Sequence, residues 1–136
     1  MKIILNKCYG GFHVSKQGYL LYAKKKGLPL CAYEHNSNTG LYEKVSIENH
    51  GGFGIYYFLK DFGDSFSPNE EDWRHRVYLN DLHRTDPVLI EIIEEIGDLA
   101  SDMASCLVVV DIPDGMNFTI DYYDGYEELH EATPIW

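Results

Sequence analysis

The apolar residues that follow Asp86 recur with helical spacing, and this pattern constrains the fold more than any other feature of the chain. The stripe consists of Val88, Ile92, Ile96, Leu99 and Met103, widened by Leu89 and Ile93. Asp86 is a typical helix N-cap, and Pro87 suits the first helical position, where its missing N–H is not needed. A helix with one apolar side must bury that side against a second layer.

Short strand patterns lie on both sides of this helix. The predicted strands cover residues 2–8, 30–34, 41–47, 55–59, 76–79, 106–112 and 116–122. A further helix is predicted over 16–26, with Ser15 as its N-cap. Residues 62–73 have the composition of a surface loop, and the turn Asp124-Gly125 leads into a tail that ends at Trp136.

The chain length and these elements together predict the fold class. The 136 residues are enough for one hydrophobic core and too few for two. We therefore predict one α+β domain over residues 1–136, with a mainly antiparallel sheet and two helices packed on it.

The charge of the chain is unevenly distributed. All 11 lysines and arginines lie within residues 1–85, whereas residues 86–136 hold 13 acidic residues and none of these cations. Because this acidic segment repels phosphate backbones, we expect no binding to nucleic acid. The segment either solvates one face of the protein, or it imitates nucleic acid or meets a basic protein.

Membrane and secretion signals are not found in the sequence. No apolar run approaches the roughly 20 residues of a transmembrane helix, and the first residues lack the apolar core of a secretory signal. Cys8, Cys31 and Cys106 form no close pair along the chain, and their odd number argues against a disulfide framework. We therefore expect a protein of the reducing cytoplasm with no membrane partner.

Motifs for catalysis, metals and cofactors are weak. The histidine and cysteine spacings do not fit a structural zinc site, and the common phosphate-binding glycine motifs do not occur. Cys8 with His13 nearby suggests nucleophilic catalysis, although a buried cysteine more often acts as a small hydrophobe. We predict no metal and no cofactor, and we assign no catalytic residue.

The turn after the first strand is the best candidate for a ligand site. Gly10 and Gly11 precede the helix at 16–26, so backbone N–H groups near a helix N-terminus could face an anionic ligand. The same glycines would also serve a tight turn. The candidate ligand-binding residues are Asn6, Lys7, Tyr9, Gly10, Gly11, Phe12, Arg84, Tyr122 and Tyr123.

Tyrosine is unusually frequent, with 11 in the chain. Its ring gives a large rigid contact area and its hydroxyl one polar group, which suits both protein interfaces and stacking on bases. Tyr56-Tyr57 and Tyr122-Tyr123 each put one ring on either face of a strand, so some of these rings should be exposed.

Three stretches resemble small uncharacterised proteins encoded by many bacteriophages and prophages. They are KIILNKCYGGF at 2–12, RTDPVLIEIIEEIG at 84–97 and VDIPDGMNFTIDYYDGYE at 110–127. The resemblance implies a viral accessory protein that acts in the bacterial cytoplasm, and it implies no catalytic residues. Many small acidic phage proteins inhibit host defence, some by binding nucleotide signals and others by binding defence proteins.

Three functions fit these patterns. In the first, the protein is a non-enzymatic phage inhibitor that sequesters a nucleotide-derived immune signal, with residues 9–12 around the ligand and Arg84 as counter-charge. In the second, its acidic half occupies the nucleic-acid surface of a host defence protein, as an anti-CRISPR-like mimic of nucleic acid. In the third, it is a small enzyme that uses Cys8 or acidic residues on a nucleotide.

A homo-oligomer is expected for the ligand-binding alternatives. A domain of this size offers little concave surface, while a nucleotide-sized pocket needs about 300–1,000 Å³. Tyrosine-rich surfaces suit an interface between protomers that would share such a pocket. The net charge of −11 opposes this association.

Overall fold

The computed structural model describes residues 1–48, 54–102 and 105–131. The strands are β1 Lys2–Asn6, β2 Cys31–His35, β3 Tyr42–Val45, β4 Ile55–Phe58, β5 Ser65–Phe66, β6 Arg76–Val77, β7 Leu107–Asp111, β8 Phe118–Tyr123 and β9 Tyr126–Glu131. The helices are α1 Lys16–Lys26, α2 Glu70–Trp73 and α3 Pro87–Ile96, and short 3-10 turns cover Asp81–His83 and Gly97–Ala100. All these strands pair antiparallel, so the predicted α+β class is confirmed.

The chain forms two compact units. The first unit combines Met1–Gly18 with Leu79–Trp136, and the second unit is Tyr19–Tyr78. The first unit contains the ribbons β1-β7 and β8-β9, and the second contains a sheet of order β5-β3-β2-β4-β6. In the described ranges, no helix has the length and apolar character needed to cross a membrane.

In the first unit, residues of the β8-β9 ribbon cover one face of the β1-β7 ribbon. Side chains alternate along a strand, so Ile3 and Leu5 share a face of β1, where Ile112 joins them in a buried cluster. The partly buried residues packed on this cluster are Val110, Met116, Phe118, Ile120 and Leu129. The helix α3 contacts both β1 and β7. The first unit thus buries β1 almost completely.

Local capping explains where α3 begins. The Asp86 carboxylate accepts a hydrogen bond from the Val88 N–H at 2.9 Å, and Pro87 occupies the first helical position, as predicted. The buried residues of the helix are Leu89, Ile90, Ile92 and Ile93.

The predicted apolar stripe of α3 is partly wrong. Val88 and Ile96 are only half-buried, and Leu99 is 65% exposed. The reason is that Gly97, at a φ of 57°, ends the helix, and the following 3-10 turn breaks the helical spacing. Met103 lies outside the described residues.

Two segments are more regular than predicted. Residues 62–73 contain β5 and α2 rather than loop alone. The strand β5 pairs with β3, and α2 begins with a reciprocal capping box between Asn69 and Asp72, with bonds of 2.8 and 3.1 Å. The chain after Asp124-Gly125 forms β9, which pairs with β8 from Tyr123–Tyr126 to Phe118–Glu131. The predicted tail end at Trp136 lies outside the described residues.

The second unit has an aromatic core. Tyr19 of α1 stacks on Tyr57 of β4 with ring centroids 4.4 Å apart. On the opposite face, Phe62 and Phe66 stack at 4.4 Å, and both contact the buried ring of Phe58. Part of the tyrosine surplus therefore fills a core, since Tyr19, Tyr33 and Tyr57 are buried.

Candidate functional site

The candidate residue Asn6 is fully buried and its side chain makes four hydrogen bonds. Its Nδ2 donates to the carbonyls of Cys8 at 2.9 Å and Gly125 at 2.7 Å. Its Oδ1 accepts from the N–H groups of Cys8 at 3.3 Å and Cys106 at 2.9 Å. A side-chain amide has two donor and two acceptor positions, so Asn6 joins three segments of the first unit and uses its full capacity within the protein.

Arg84 forms a buried ion pair with Glu127. Its Nη1 and Nη2 donate to Oε1 and Oε2 of Glu127 at 3.1 and 2.8 Å, and the two side chains are only 16% and 6% exposed. Nη1 also donates to the Ile4 carbonyl, while the Arg84 carbonyl accepts from the Ile4 N–H, both at 2.8 Å. The Asn6 N–H donates to Oε1 of Glu127 at 2.8 Å. Arg84 was predicted as counter-charge for an anionic ligand, and the structure gives it an internal carboxylate instead.

Two further candidates contact the same region. The Lys7 ammonium donates to the Glu127 carbonyl at 2.6 Å and lies 5.0 Å from the Tyr126 ring centroid. The Phe12 ring lies 5.6 Å from the Arg84 guanidinium. Lys7 therefore contacts the strand β9, and Phe12 lies against the arginine of the internal ion pair.

The glycine turn packs against the turn between β8 and β9. Gly10 and Gly11 have φ values of 120° and 117°, which only glycine adopts readily, and the Gly10 N–H donates to the Asp124 carbonyl at 2.7 Å. A Cβ on Gly125 would clash with the Gly11 N–H and lie 2.7 Å from the Gly11 Cα. The helix α1 begins only at Lys16, so residues 12–15 separate the glycines from its N-terminus. The positive φ values of Gly10 and Gly11 fit a tight turn, and the missing side chain of Gly125 lets the two turns approach closely.

An exposed aromatic surface lies beside these turns. The Tyr9 ring is 6.4 Å from the Tyr123 ring and 5.7 Å from the Tyr126 ring, and these three residues are here called the tyrosine surface. Tyr9 is 65% exposed and Tyr123 is 73% exposed. Tyr122 is 72% exposed, and among the described residues no ring contact joins it to the tyrosine surface.

Exposed carboxylates lie on the same ribbon as Tyr123 and Tyr126. The exposed acidic residues of β8, β9 and their turn are Asp121, Asp124, Glu128 and Glu131. His130 lies 3.3 Å from Asp121 and 3.5 Å from Glu128. Since no lysine or arginine follows Arg84 in the sequence, this ribbon supplies no permanent positive charge of its own.

The structure corrects the expectation that no cysteines pair. A disulfide joins Cys8 to Cys106, with Cα atoms 5.2 Å apart, and Cys31 is free. The two residues are 98 positions apart in sequence, but the antiparallel pairing of β1 with β7 brings them together. With its sulfur bonded, Cys8 has no thiolate for nucleophilic attack, and His13 directs its Nε2 towards the Gly10 carbonyl at 3.3 Å.

The structure brings most of the candidate residues into one region of the first unit, in roles that sequence reasoning did not resolve. Glu127 and Tyr126 were missed. Glu127 is one of 13 acidic residues after position 85, so its charge gave no signal. The one available signal is that Glu127 lies two residues before the apolar Leu129, which places both on the same face of β9 as Ile120 of β8. Tyr126 followed a predicted turn and was assigned to a tail.

Metal chemistry finds no support in the described ranges, which contain no group of three or more His, Cys, Asp or Glu side chains placed to hold an ion.

Comparison with protein-family models, curated proteins and solved structures finds no match. The chemistry of the site's own residues is therefore the basis for a functional proposal.

Proposed function

We propose that this protein is a non-enzymatic inhibitor that binds a basic surface of a bacterial defence protein in a stoichiometric complex. The binding groups are the tyrosine surface and the exposed carboxylates of the β8-β9 ribbon. An origin in a bacteriophage or prophage, and action in the bacterial cytoplasm, belong to the same proposal and rest on the sequence resemblance. The observation that carries the proposal is the exposure of large tyrosine rings on an acidic ribbon.

The exposed rings support an interface because large apolar surface in water is unfavourable, and its burial against a partner lowers the free energy. Tyr9 and Tyr123 expose most of their area, and each ring has only two side-chain torsions to fix on binding. The contacts of the Tyr9 ring with the rings of Tyr123 and Tyr126 restrict it before a partner arrives. Tyrosine is among the residues that dominate binding energy at protein interfaces.

The carboxylates define the chemistry of the partner. Asp121, Asp124 and Glu128 are exposed beside the rings, so a complementary surface presents lysine or arginine. Surfaces that bind nucleic acid have this character, since they neutralise phosphates. We therefore assign the partner as a nucleic-acid-binding defence protein whose nucleic-acid surface this acidic ribbon covers.

A nucleotide ligand at the predicted turn has less support. The Gly10 N–H, the Asn6 amide and the Arg84 guanidinium, which would hold a phosphate or base, all donate within the protein. Binding a nucleotide there would require breaking these internal hydrogen bonds.

A nucleotide panel separates the three functions of the sequence analysis. The protein is incubated with nucleoside phosphates and cyclic dinucleotides, freed of unbound ligand, denatured and examined by mass spectrometry. We expect no retained nucleotide. Intact nucleotide after denaturation would instead indicate sequestration, and a chemically altered nucleotide would indicate an enzyme.

A partner test addresses the binding surface directly. Nucleic-acid-binding defence proteins of the bacterial host are purified, and the affinity of each for the wild-type chain is measured by calorimetry. We expect one of them to bind, duplex DNA to compete, and Tyr9→Ser with Tyr123→Ser to weaken binding about 100-fold or more. Tyr78→Ser is the matched control, because Tyr78 is 50% exposed but lies in the second unit. Binding that survives the Tyr9 and Tyr123 changes, or that DNA does not affect, would overturn the proposal.

A further inference from the structure

Cys8 and Cys106 are aligned by hydrogen bonds that do not depend on the bond between their sulfurs. The Asn6 Oδ1 accepts from the N–H groups of both cysteines, at 3.3 and 2.9 Å. The Lys7 N–H donates to the Cys106 carbonyl at 2.8 Å. The Cα separation of 5.2 Å is within the range that a disulfide bridges. Two free thiols at these positions would therefore stay side by side.

The segment that carries Tyr9, here called the Tyr9 loop (residues 9–11), follows Cys8 directly and is held by the ring contacts of Tyr9 and by one backbone hydrogen bond. Gly10 and Gly11 contribute no side chains, and Tyr9 is mostly exposed. The Gly10 N–H bond to the Asp124 carbonyl is a single backbone contact with the neighbouring turn. Segments with few buried apolar contacts open at low free energy, so the order of this loop depends on how firmly the adjacent Cys8 is anchored.

Neither bonded cysteine is fully buried, and attack by a small thiol requires such partial exposure. Cys31 lies in the second unit, and burial, followed by the nearby Asp61 carboxylate, raises the pKa of its thiol. Since the thiolate is the reactive form, Cys31 competes poorly in thiol–disulfide exchange at neutral pH.

We infer that Cys8 and Cys106 form a reversible redox switch that holds or releases the Tyr9 loop. A thiolate of a small cellular thiol such as glutathione attacks one sulfur, breaks the S–S bond and forms a mixed disulfide. A second glutathione thiolate then displaces the remaining protein sulfur. The protein gains two electrons and, from the two glutathione thiols, two protons, and one glutathione disulfide leaves. Excess glutathione disulfide reverses both steps.

The switch regulates the proposed binding surface, and in this respect it rests on the proposed function. In the oxidised protein, Tyr9 is held against Tyr123 and Tyr126. In the reduced protein, the Tyr9 loop opens and the tyrosine surface loses one of its three rings. The Asn6 hydrogen bonds return the thiols to register, which makes the change reversible.

Hydrogen exchange at the Gly10 amide tests the switch without any partner. The oxidised protein is compared with the same protein after reduction by glutathione. We expect Gly10 exchange to become about tenfold faster or more on reduction, while the Leu5 amide in β1 keeps its protection. Alkylation and mass spectrometry should count one free thiol before reduction and three after it. Glutathione disulfide should restore both the single thiol and the slow exchange.

Two variants provide the controls. Cys31→Ser should respond to reduction as the wild type does. Cys8→Ser with Cys106→Ser should show fast Gly10 exchange in both conditions. Equal Gly10 exchange in oxidised and reduced wild-type protein, or failure of glutathione disulfide to restore the bond, would overturn the inference, and neither comparison depends on the stability of the double variant.

The outcomes of this test are separable from those of the partner test. If no basic protein binds but exchange at Gly10 follows the redox state, the proposed function fails and the switch stands. If a basic protein binds and Gly10 exchange is the same in both states, the function stands and the switch fails.

Discussion

At the outer edge of β1, the backbone is met by Arg84 and Glu127 rather than by another strand. Arg84 offers both a carbonyl and a guanidinium to Ile4, and Glu127 accepts from the Asn6 N–H. An open strand edge is a template for unwanted pairing, so this arrangement protects β1 on the side away from β7. Because the two side chains neutralise each other, the protection does not leave a buried charge.

Loss of one partner of this pair should be strongly destabilising. We expect Glu127→Ala to reduce the free energy of unfolding by about 3–5 kcal/mol, because it strands the half-buried Arg84 charge and leaves the Asn6 N–H without its acceptor. Glu128→Ala is the matched control, since Glu128 is exposed, and its effect should be about 0.5 kcal/mol or less. Urea unfolding measures both. Similar losses for the two variants would contradict the assigned role of Glu127.

The close approach of the two turns predicts an asymmetry between two glycines. Gly115 and Gly125 have φ values of 79° and 87°, but a Cβ on Gly115 meets nothing within 4 Å, whereas one on Gly125 clashes with Gly11. Gly115→Ala should cost about 1–2 kcal/mol from backbone strain alone. Gly125→Ala should cost clearly more, as thermal unfolding would show. Equal losses would mean that the turns are not in contact.

At the scale of elements, capping signals were readable from the sequence and partners distant in sequence were not. Ser15 and Asp86 mark the starts of α1 and α3 correctly, because an N-cap acts on N–H groups two or three residues away. The strand β9 was missed because Glu127 is charged yet buried, and its partner Arg84 lies 43 residues earlier. Strand propensity depends on such tertiary contacts.

The candidate site shows the same division. Turn residues and tyrosines located the region around Gly10 and Tyr123, since glycine and tyrosine have distinct conformational and contact properties. The sequence could not show that the Asn6 amide and the Arg84 charge are satisfied internally. It also could not show the Cys8 to Cys106 bond, because the pairing of β1 with β7 that creates it is not encoded in cysteine spacing.

The face of α3 that is buried can be tested with two large apolar residues of the predicted stripe. Ile92 is fully buried and Leu99 is 65% exposed. We expect Ile92→Ala to lower the free energy of unfolding by about 2–5 kcal/mol, because it leaves a cavity. Leu99→Ala should change it by about 0.5 kcal/mol or less. A loss below half a kcal/mol for Ile92→Ala would show that the buried face is assigned wrongly.

At the scale of the whole molecule, the charge distribution predicts poor affinity for nucleic acid. At physiological salt we expect no measurable binding of duplex DNA or single-stranded RNA in a fluorescence anisotropy titration. Weak binding at low salt should come from the lysines Lys16, Lys24, Lys25 and Lys26 and should vanish as salt screens it. Tight binding at about 0.15 M salt would contradict the proposed mimicry of nucleic acid.

Self-association is the second prediction at this scale. We expect a homo-oligomer whose assembly tightens as salt rises, because buried aromatic surface favours contact while the charge of −11 per chain opposes it. Light scattering at low and high salt measures this directly. A monomer under both conditions would remove the shared-pocket form of the ligand hypothesis and would leave the protein-partner proposal intact.

The interruption of the first unit by the second has a consequence for the order in which the chain folds during synthesis. The second unit is a continuous segment, Tyr19–Tyr78, so it can complete its sheet as soon as it leaves the ribosome. The strand β1 leaves earlier but pairs with β7, whose register joins Lys2 to Asp111. The apolar residues 3–5 must therefore remain unpaired until most of the chain has been made, which makes the nascent N-terminal strand a natural client for chaperones.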